Sequence, residues 1–225
     1  MKPVRTKAIV LRRTNYGEAD RILQLLTPNY GKISIMAKGV RREKSKLAGG
    51  IELLAISDVT LVSGKSEIWT LTGAKMDTFF AHIMNDYDRL QFAYEVIKQV
   101  SRAAEQVSDP AFFVLLETAL RSLNDPNIEF DITVSWFWLQ LSILLGAGLN
   151  LSTDINGMQL VEDKNYAFDG ESMAFWFSEN GDFTTSHLKL LRLLSAQPPG
   201  VVAKVKGLKP LLGPVRRLTE QVTAH

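Results

Sequence analysis

Alternation of apolar and polar positions dominates the first third of the chain. In residues 32–38, Ile33, Ile35 and Ala37 fall on one face and Lys32, Ser34, Met36 and Lys38 on the other. That period of two marks a half-buried β-strand. Residues 8–14 are apolar and β-branched up to the turn residues Asn15-Tyr16-Gly17. Residues 21–26 form a second run, closed by Thr27-Pro28-Asn29-Tyr30-Gly31. After Gly49-Gly50, residues 53–62 and 67–72 read as two more strands joined by Ser63-Gly64-Lys65-Ser66. Five short strands with tight turns predict a small closed barrel such as an OB-fold. An SH3-like barrel or a small sandwich would give the same pattern, and periodicity alone does not choose among them.

From about residue 77 the period becomes helical. Over residues 88–107, Leu90, Ala93, Tyr94, Ile97, Val100, Ala104 and Val107 form one stripe, with Glu95, Lys98, Arg102 and Glu105 largely opposite. Asp109-Pro110 supplies a cap and an N-terminal proline for the next helix, which stops at Asn124-Asp125-Pro126. Residues 131–145 are apolar nearly all round and predict a buried central helix ended by Gly146 and Gly148. Residues 150–183 are polar and turn-rich, with short β-like pieces at 158–161, 166–168 and 173–177. A helix is expected at 185–196, and the tail from residue 201 is expected to be helical on either side of Gly213-Pro214. The whole reads as an α+β chain: a small five-stranded β-barrel in residues 1–78, then an α-helical domain in 79–225 with a small β-like insertion at 150–183.

Composition narrows the chemistry. The chain of 225 residues has 46% hydrophobic and 22% charged residues, ordinary for a folded protein, and no cysteine, which excludes disulfides and thiolate zinc sites. Lys2 and Arg5 precede only a short apolar run, so no signal peptide is expected. The apolar run 134–149 is interrupted by Ser135, Gln140 and Ser142, short of a membrane span. A cytoplasmic location and no membrane contact are therefore expected. The net charge of +2 hides an asymmetry. Residues 1–77 hold 14 Lys/Arg against 7 Asp/Glu, 78–200 hold 7 against 16, and 201–225 hold 5 against 1. One anion-binding end and an acidic middle that repels nucleic acid would produce this distribution.

The densest basic stretch follows the third strand. Gly39 permits a turn, and Arg41, Arg42, Lys44 and Lys46 come almost without interruption. With Lys32 and Lys38 they are the candidate phosphate contacts, and Arg12, Arg13 and Arg21 would extend the track, together with Arg5 and Lys7. Each such cation that neutralises a phosphate releases counterions. A solvated charge run is the competing reading. Tyr16 and Tyr30, at turns, are candidate stacking platforms, whereas Trp69 reads as core. In the tail, Lys204, Lys206, Lys209, Arg216 and Arg217 form a second basic group, a DNA surface or a receptor for an acidic protein tail. A docked acidic tail with an apolar end needs an apolar pocket with a cation at its rim, and Arg121 is the candidate within the helices. Phe112, Phe113, Trp136 and Trp138 read as core. Enzyme signatures fail on spacing. Gly64-Lys65-Ser66 has Val59 where a P-loop requires glycine, and Gly146-Ala147-Gly148 has Leu151 where a dinucleotide motif requires its third glycine. His82, His187 and His225 show no metal-binding spacing, and Asp86 and Asp88 read as capping residues. No catalytic residue and no cofactor is expected.

Gly17-Glu18-Ala19-Asp20-Arg21, Leu25-Leu26-Thr27, Gly31-Lys32 and Ala37-Lys38-Gly39-Val40-Arg41-Arg42 with Ser45 and Leu47 resemble the N-terminal signature of the RecO family of bacterial recombination mediators. Leu144-Leu145-Gly146-Ala147-Gly148-Leu149-Asn150 resembles that family's Leu-Gly-x-x-x-Asn segment. Leu208-Lys209-Pro210-Leu211-Leu212-Gly213 with Arg216-Arg217 resembles its basic C-terminal helix. The resemblance implies an OB-fold, a helical domain, and binding of single- and double-stranded DNA without enzymatic turnover, in the cytoplasm at the nucleoid. It further implies annealing of complementary strands, partnership with RecR and with RecF in many bacteria, and loading of RecA onto strands coated by single-stranded DNA-binding protein. Recognition of the C-terminal tail of that coating protein is implied as well. Many relatives carry a four-cysteine zinc module after the Leu-Gly-x-x-x-Asn segment, whereas Asp154, Asp163 and His187 lack its spacing and softness. Residues 150–183 are thus expected to fold without metal. The alternative from another class is an adaptor whose basic barrel binds an acidic protein partner.

Overall fold

The structure, a computed structural model, describes residues 2–63 and 68–222. It divides into two compact units, Met1–Asn124 and Asp125–His225. The break lies well past residue 78, where the sequence period changes, because the first helix packs on strands of the first unit and the second helix packs on the first.

Five strands, β1 (Val4–Tyr16), β2 (Asp20–Thr27), β3 (Gly31–Ala37), β4 (Ala55–Val62) and β5 (Trp69–Phe79), close a barrel in the order β1-β2-β3-β5-β4. All neighbours are antiparallel except β3 and β5, which meet in parallel at Ile35↔Trp69 and Met36↔Thr70. This is the OB-fold topology, and it resolves the choice that periodicity left open. The interior is filled by Ala8, Val10, Leu23, Leu25, Ile35, Ala37, Val40, Ile51, Val59, Leu61 and Leu71. The face assignment of β3 holds, since Ile33 packs against that cluster and Ile35 and Ala37 belong to it. β1 is longer than its apolar run because Leu11 sits at a bulge, the register stepping from Val10↔Leu25 to Arg12↔Gln24. β5 begins at Trp69; the expected Gly64–Ser66 turn and Glu67, as well as His225, lie outside the described residues.

α1 (Tyr87–Gln106) and α2 (Ala111–Asn124) complete the first unit. Asp86 caps α1 by accepting from the Arg89 N–H at 3.0 Å, and Asp109 caps α2 by accepting from the Ala111 N–H at 2.7 Å. α1 packs on β1 and β3. The Lys32 side chain crosses that junction and is only 9% exposed. Its ammonium donates to the Ser101 carbonyl (3.0 Å), to Ser101 Oγ (2.8 Å) and to Glu105.

In the second unit α3 (Phe130–Leu144) is apolar on all sides and packs against α4 (Thr185–Ala196) and α6 (Lys209–Val222). Left-handed Gly146 (φ +79°) ends α3 in a Schellman motif, with the Ala147 N–H donating to Ser142 O at 2.8 Å. Between α3 and α4 lies a three-stranded antiparallel sheet, β7-β6-β8, made of β6 (Asn165–Asp169), β7 (Ala174–Phe177) and β8 (Phe183–Thr184). Residues 158–161 form no strand; Gln159 makes an isolated bridge to Thr153 instead. Tyr166, Phe168, Phe175, Phe177 and Phe183 share one face of this sheet by register, and aromatic contacts at 5.3–5.5 Å hold it. Aromatic packing thus supplies the cohesion of a segment this short. A short helix, α5 (Pro199–Val202), leads into the tail. α6 runs unbroken through Gly213-Pro214 rather than stopping there, at the cost of the single hydrogen bond that Pro214 cannot donate.

Candidate nucleic-acid interface

The basic stretch after β3 is a loop anchored at both ends. Gly39 takes a left-handed conformation (φ +64°) and donates its N–H to Asp20 Oδ1 at 2.7 Å. Val40 then enters the barrel interior, 2% exposed. Arg41 donates its N–H to Ala19 O at 2.8 Å and its guanidinium to Gly17 O at 3.2 Å. Turns follow at Arg42 N–H to Gly39 O (3.1 Å) and Ser45 N–H to Arg42 O (3.0 Å). Leu47 and Ala48 return to the core, and Gly50 passes so close to Ala74 that a Cβ there would sit 2.6 Å from its carbonyl carbon. Two apolar plugs and a set of backbone bonds therefore hold a loop whose charged side chains face outward.

Those side chains are unequal. Lys38, Arg41, Arg42, Lys44 and Lys46 are exposed, and among the described residues none of the five is in an ion pair. Arg21 joins them through its pairing with Ala37, donating to Asn15 Oδ1 at 3.1 Å. Arg12 is exposed on the outside of β1 across from Gln24. Arg13 is half-buried and held by Glu52 at 2.8 Å. Lys32, grouped with the loop in the sequence, is not brought to it: Ser101 and Glu105 take its ammonium. That bond draws the Glu105 carboxyl below its ordinary pKa. Tyr16 is 55% exposed and pairs with Asp20 at the loop's anchoring turn. Tyr30 packs instead against Trp69, ring centroids 5.2 Å apart, near the opposite end of β2 and β3.

A second concavity of about 500 Å³ crosses β1, β4 and β5 and is lined by Arg5, Lys7, Asp58 and Lys75. Its cations alternate with acids. Lys7 pairs with Asp77 at 3.1 Å, which raises the lysine pKa and lowers that of the aspartate. Lys75 joins Arg5 and Lys7 only through strand register, so nothing in its local sequence signals the grouping.

The partner-binding candidates also separate. Arg121 is held by Glu117 at 2.8 Å and lies 6.0 Å from the centre of the Phe80 ring. Arg216 donates to Asp131 Oδ1 (2.7 Å) and Glu220 Oε1 (2.9 Å) and lies 5.3 Å from the centre of the Phe130 ring. Burial works against its charge, yet those two carboxylates hold its pKa above the ordinary arginine value. Lys204, Lys206, Lys209 and Arg217 are exposed. Arg217 stands at a hollow of about 290 Å³ floored by Phe168, Phe183, Pro214 and Leu218, with Asp182 also at its wall. The hollow sets a cation beside apolar side chains, at a residue other than Arg121, with Asp182 and Gln221 making up its polar side. Phe112, Phe113 and Trp136 are buried, as their reading as core requires. Among the described residues no group of three or more His, Asp or Glu is placed to hold a metal ion, and no helix is long and apolar enough to cross a membrane.

Residues 1–80 match the family described as recombination protein O, N terminal. Over 145 residues the chain is 39% identical to the DNA repair protein RecO of one strain of Dehalococcoides mccartyi, covering 64% of this chain and 56% of that protein. In a second strain the identity is 37% over 170 residues, 75% of this chain and 66% of the relative. The DNA repair protein RecO of Heliobacterium modesticaldum is 36% identical over 162 residues, 72% of this chain and 58% of the relative. The chain thus spans between just over half and just under two thirds of the length of these relatives.

Proposed function

Because the chain belongs to the RecO family, we propose that it is a DNA-binding recombination mediator acting in repair, with the anchored loop as its strand-holding surface. The observation that carries this reading is the loop itself. Five cations, Lys38, Arg41, Arg42, Lys44 and Lys46, are exposed and, among the described residues, in no ion pair, on a backbone already fixed by Asp20, Ala19, Val40 and Leu47. A fixed, unneutralised cation row suits the phosphate backbone, and it leaves the bases turned away and free to pair. Arg21 and Arg12 extend the row along the barrel, and Tyr16 offers a ring to one unstacked base. Lys32 and Arg13 are left out of this surface because other residues hold them.

In this mechanism annealing is electrostatic and geometric, with no covalent step, no cofactor and no enzymatic turnover. Strands held by their backbones lose mutual repulsion while their pairing edges stay open. The second unit takes the protein partners. The hollow beside Arg217 receives the acidic, apolar-ended tail of single-stranded DNA-binding protein, and the exposed Lys204, Lys206 and Lys209 add long-range attraction. RecR, with RecF where present, would complete the assembly that hands the strand to RecA.

The test replaces Arg41, Arg42, Lys44 and Lys46 by Ala and measures single-strand binding and annealing across salt. Four lost phosphate contacts should lower the salt slope by roughly 3, at about 0.7 per contact for a single strand. Unchanged affinity and unchanged slope would dismiss the loop as the strand-holding surface. If the barrel serves instead as an adaptor for an acidic protein, excess oligonucleotide should leave that protein bound.

A further inference from the structure

Among the described residues one carboxylate holds the basic loop, and it sits at the loop's root. Asp20 Oδ1 accepts the Gly39 N–H at 2.7 Å, where the backbone turns left-handed. The neighbouring residues of the same turn take the next anchors: Ala19 O accepts the Arg41 N–H and Gly17 O the Arg41 guanidinium. Three hydrogen-bond acceptors within four residues thus dock the start of the loop on the turn between β1 and β2. Of the three acceptors only Asp20 uses a side chain, so it alone can be removed from the docking turn by substitution without altering backbone or deleting a loop cation. It is also charge-assisted, the stronger class of such bonds.

Resting on the proposed strand-holding role, we infer that Asp20 is the positioning residue of the phosphate-binding loop, and that removing this negative charge together with its acceptor weakens DNA binding. Simple electrostatics requires the opposite. An acid among cations repels a polyanion, so its loss should tighten binding. Geometry opposes this, because cations on an unfastened loop must be ordered at the moment of binding, and that ordering subtracts from affinity. Asp20→Ala removes both charge and acceptor, whereas Asp20→Asn removes the charge and keeps an Oδ1 acceptor for Gly39. The pair separates the two effects.

In 0.1 M salt, Asp20→Ala should weaken single-strand binding about five- to tenfold with the salt slope unchanged, because the phosphate contacts are fewer in time but not in number. Asp20→Asn should bind as well as the unmodified chain or better. If both variants tighten together, electrostatics alone governs Asp20 and the positioning role is wrong. A second readout does not use DNA. Trypsin should cut after Arg41 or Arg42 at least tenfold faster in Asp20→Ala, and at the original rate in Asp20→Asn. Equal cutting in all three proteins overturns the inference. Faster cutting in Asp20→Ala alone, in a chain that binds no DNA, upholds Asp20 as the loop's fastener while removing the proposed function. Should Asp20→Ala fail to fold, amide exchange in the unmodified chain decides, since a Gly39 amide no slower than those of Lys44 and Lys46 rules the fastening out.

Discussion

Two basic stretches look alike in the sequence and differ in the structure. Residues 38–46 and 204–217 each carry five Lys or Arg, and each follows a more regular element. In the first, every cation faces outward and the backbone does the fastening through Gly39, Val40, Arg41 and Ser45. In the second, Arg216 fastens the fold itself, between Asp131, Glu220 and the Phe130 ring, while Lys204, Lys206, Lys209 and Arg217 remain outside. The difference teaches that charge count does not measure availability. A cation can serve a partner only if the backbone is held by something else, and the loop achieves this with apolar plugs and peptide groups.

Paired substitutions offer the widest separation. Arg41→Ala with Arg42→Ala should weaken single-strand binding by at least tenfold and leave the melting temperature within about one degree, as surface changes usually do. Arg216→Ala with Arg217→Ala should do the reverse: binding within threefold, and a loss of about 1–2 kcal/mol, since a half-exposed network is worth no more than that. Urea unfolding and filter binding measure both, and equal effects on binding from the two pairs would erase the distinction.

A smaller effect tests Lys32, which the sequence grouped with the loop. Lys32→Ala should cost about 1–2 kcal/mol through the lost bonds to Ser101 and lost packing of its stem, with the salt slope of DNA binding unchanged. A slope lowered by about 0.7 would return Lys32 to the strand-holding surface.

The smallest concerns pH. Glu105 has its pKa lowered in the folded state by the Lys32 hydrogen bond. Its contribution is therefore present above the ordinary glutamate range and fades as pH falls through the lowered value. Comparing the chain with its Glu105→Gln variant, the gap in urea midpoint should be widest near pH 7 and close on acidification below about pH 4. A gap that widens toward acid would refute the assignment.

Much of this was legible in residues. The apolar runs and turn residues placed β1 to β3, alternation gave the inward face of β3, and Asp86, Asp109 and Gly146 announced the helix ends they make. Other features were hidden for physical reasons. β1 outruns its apolar segment because the bulge at Leu11 lets four successive residues, Ala8 to Leu11, be buried on different faces. β5 outruns its own because Thr72, Lys75 and Asp77 are exposed on a barrel's outer surface and need no apolar neighbours. Tertiary packing decided Lys32, whose period-two position pointed outward correctly but could not reveal that α1 covers it. The loop's anchors were visible as letters, yet Val40 and Leu47 looked incidental within a charge run. Arg217 needed Phe168 and Phe183, distant in sequence, before it could acquire a pocket.

The closing seam of the barrel has a mechanical consequence. β1, β2 and β3 form a continuous antiparallel meander, and β4 and β5 a second ribbon joined to it along β1, while among the described residues β3 and β5 pair at two positions, Ile35↔Trp69 and Met36↔Thr70. Among the described residues this parallel contact is the shortest ladder of the barrel and the least costly to part. The molecule is in this sense a rolled sheet with a latch, and the loop at 38–46 leaves β3 right beside it. Tension on that loop would pass first to its anchors on the β1–β2 turn and then along β3 to this latch.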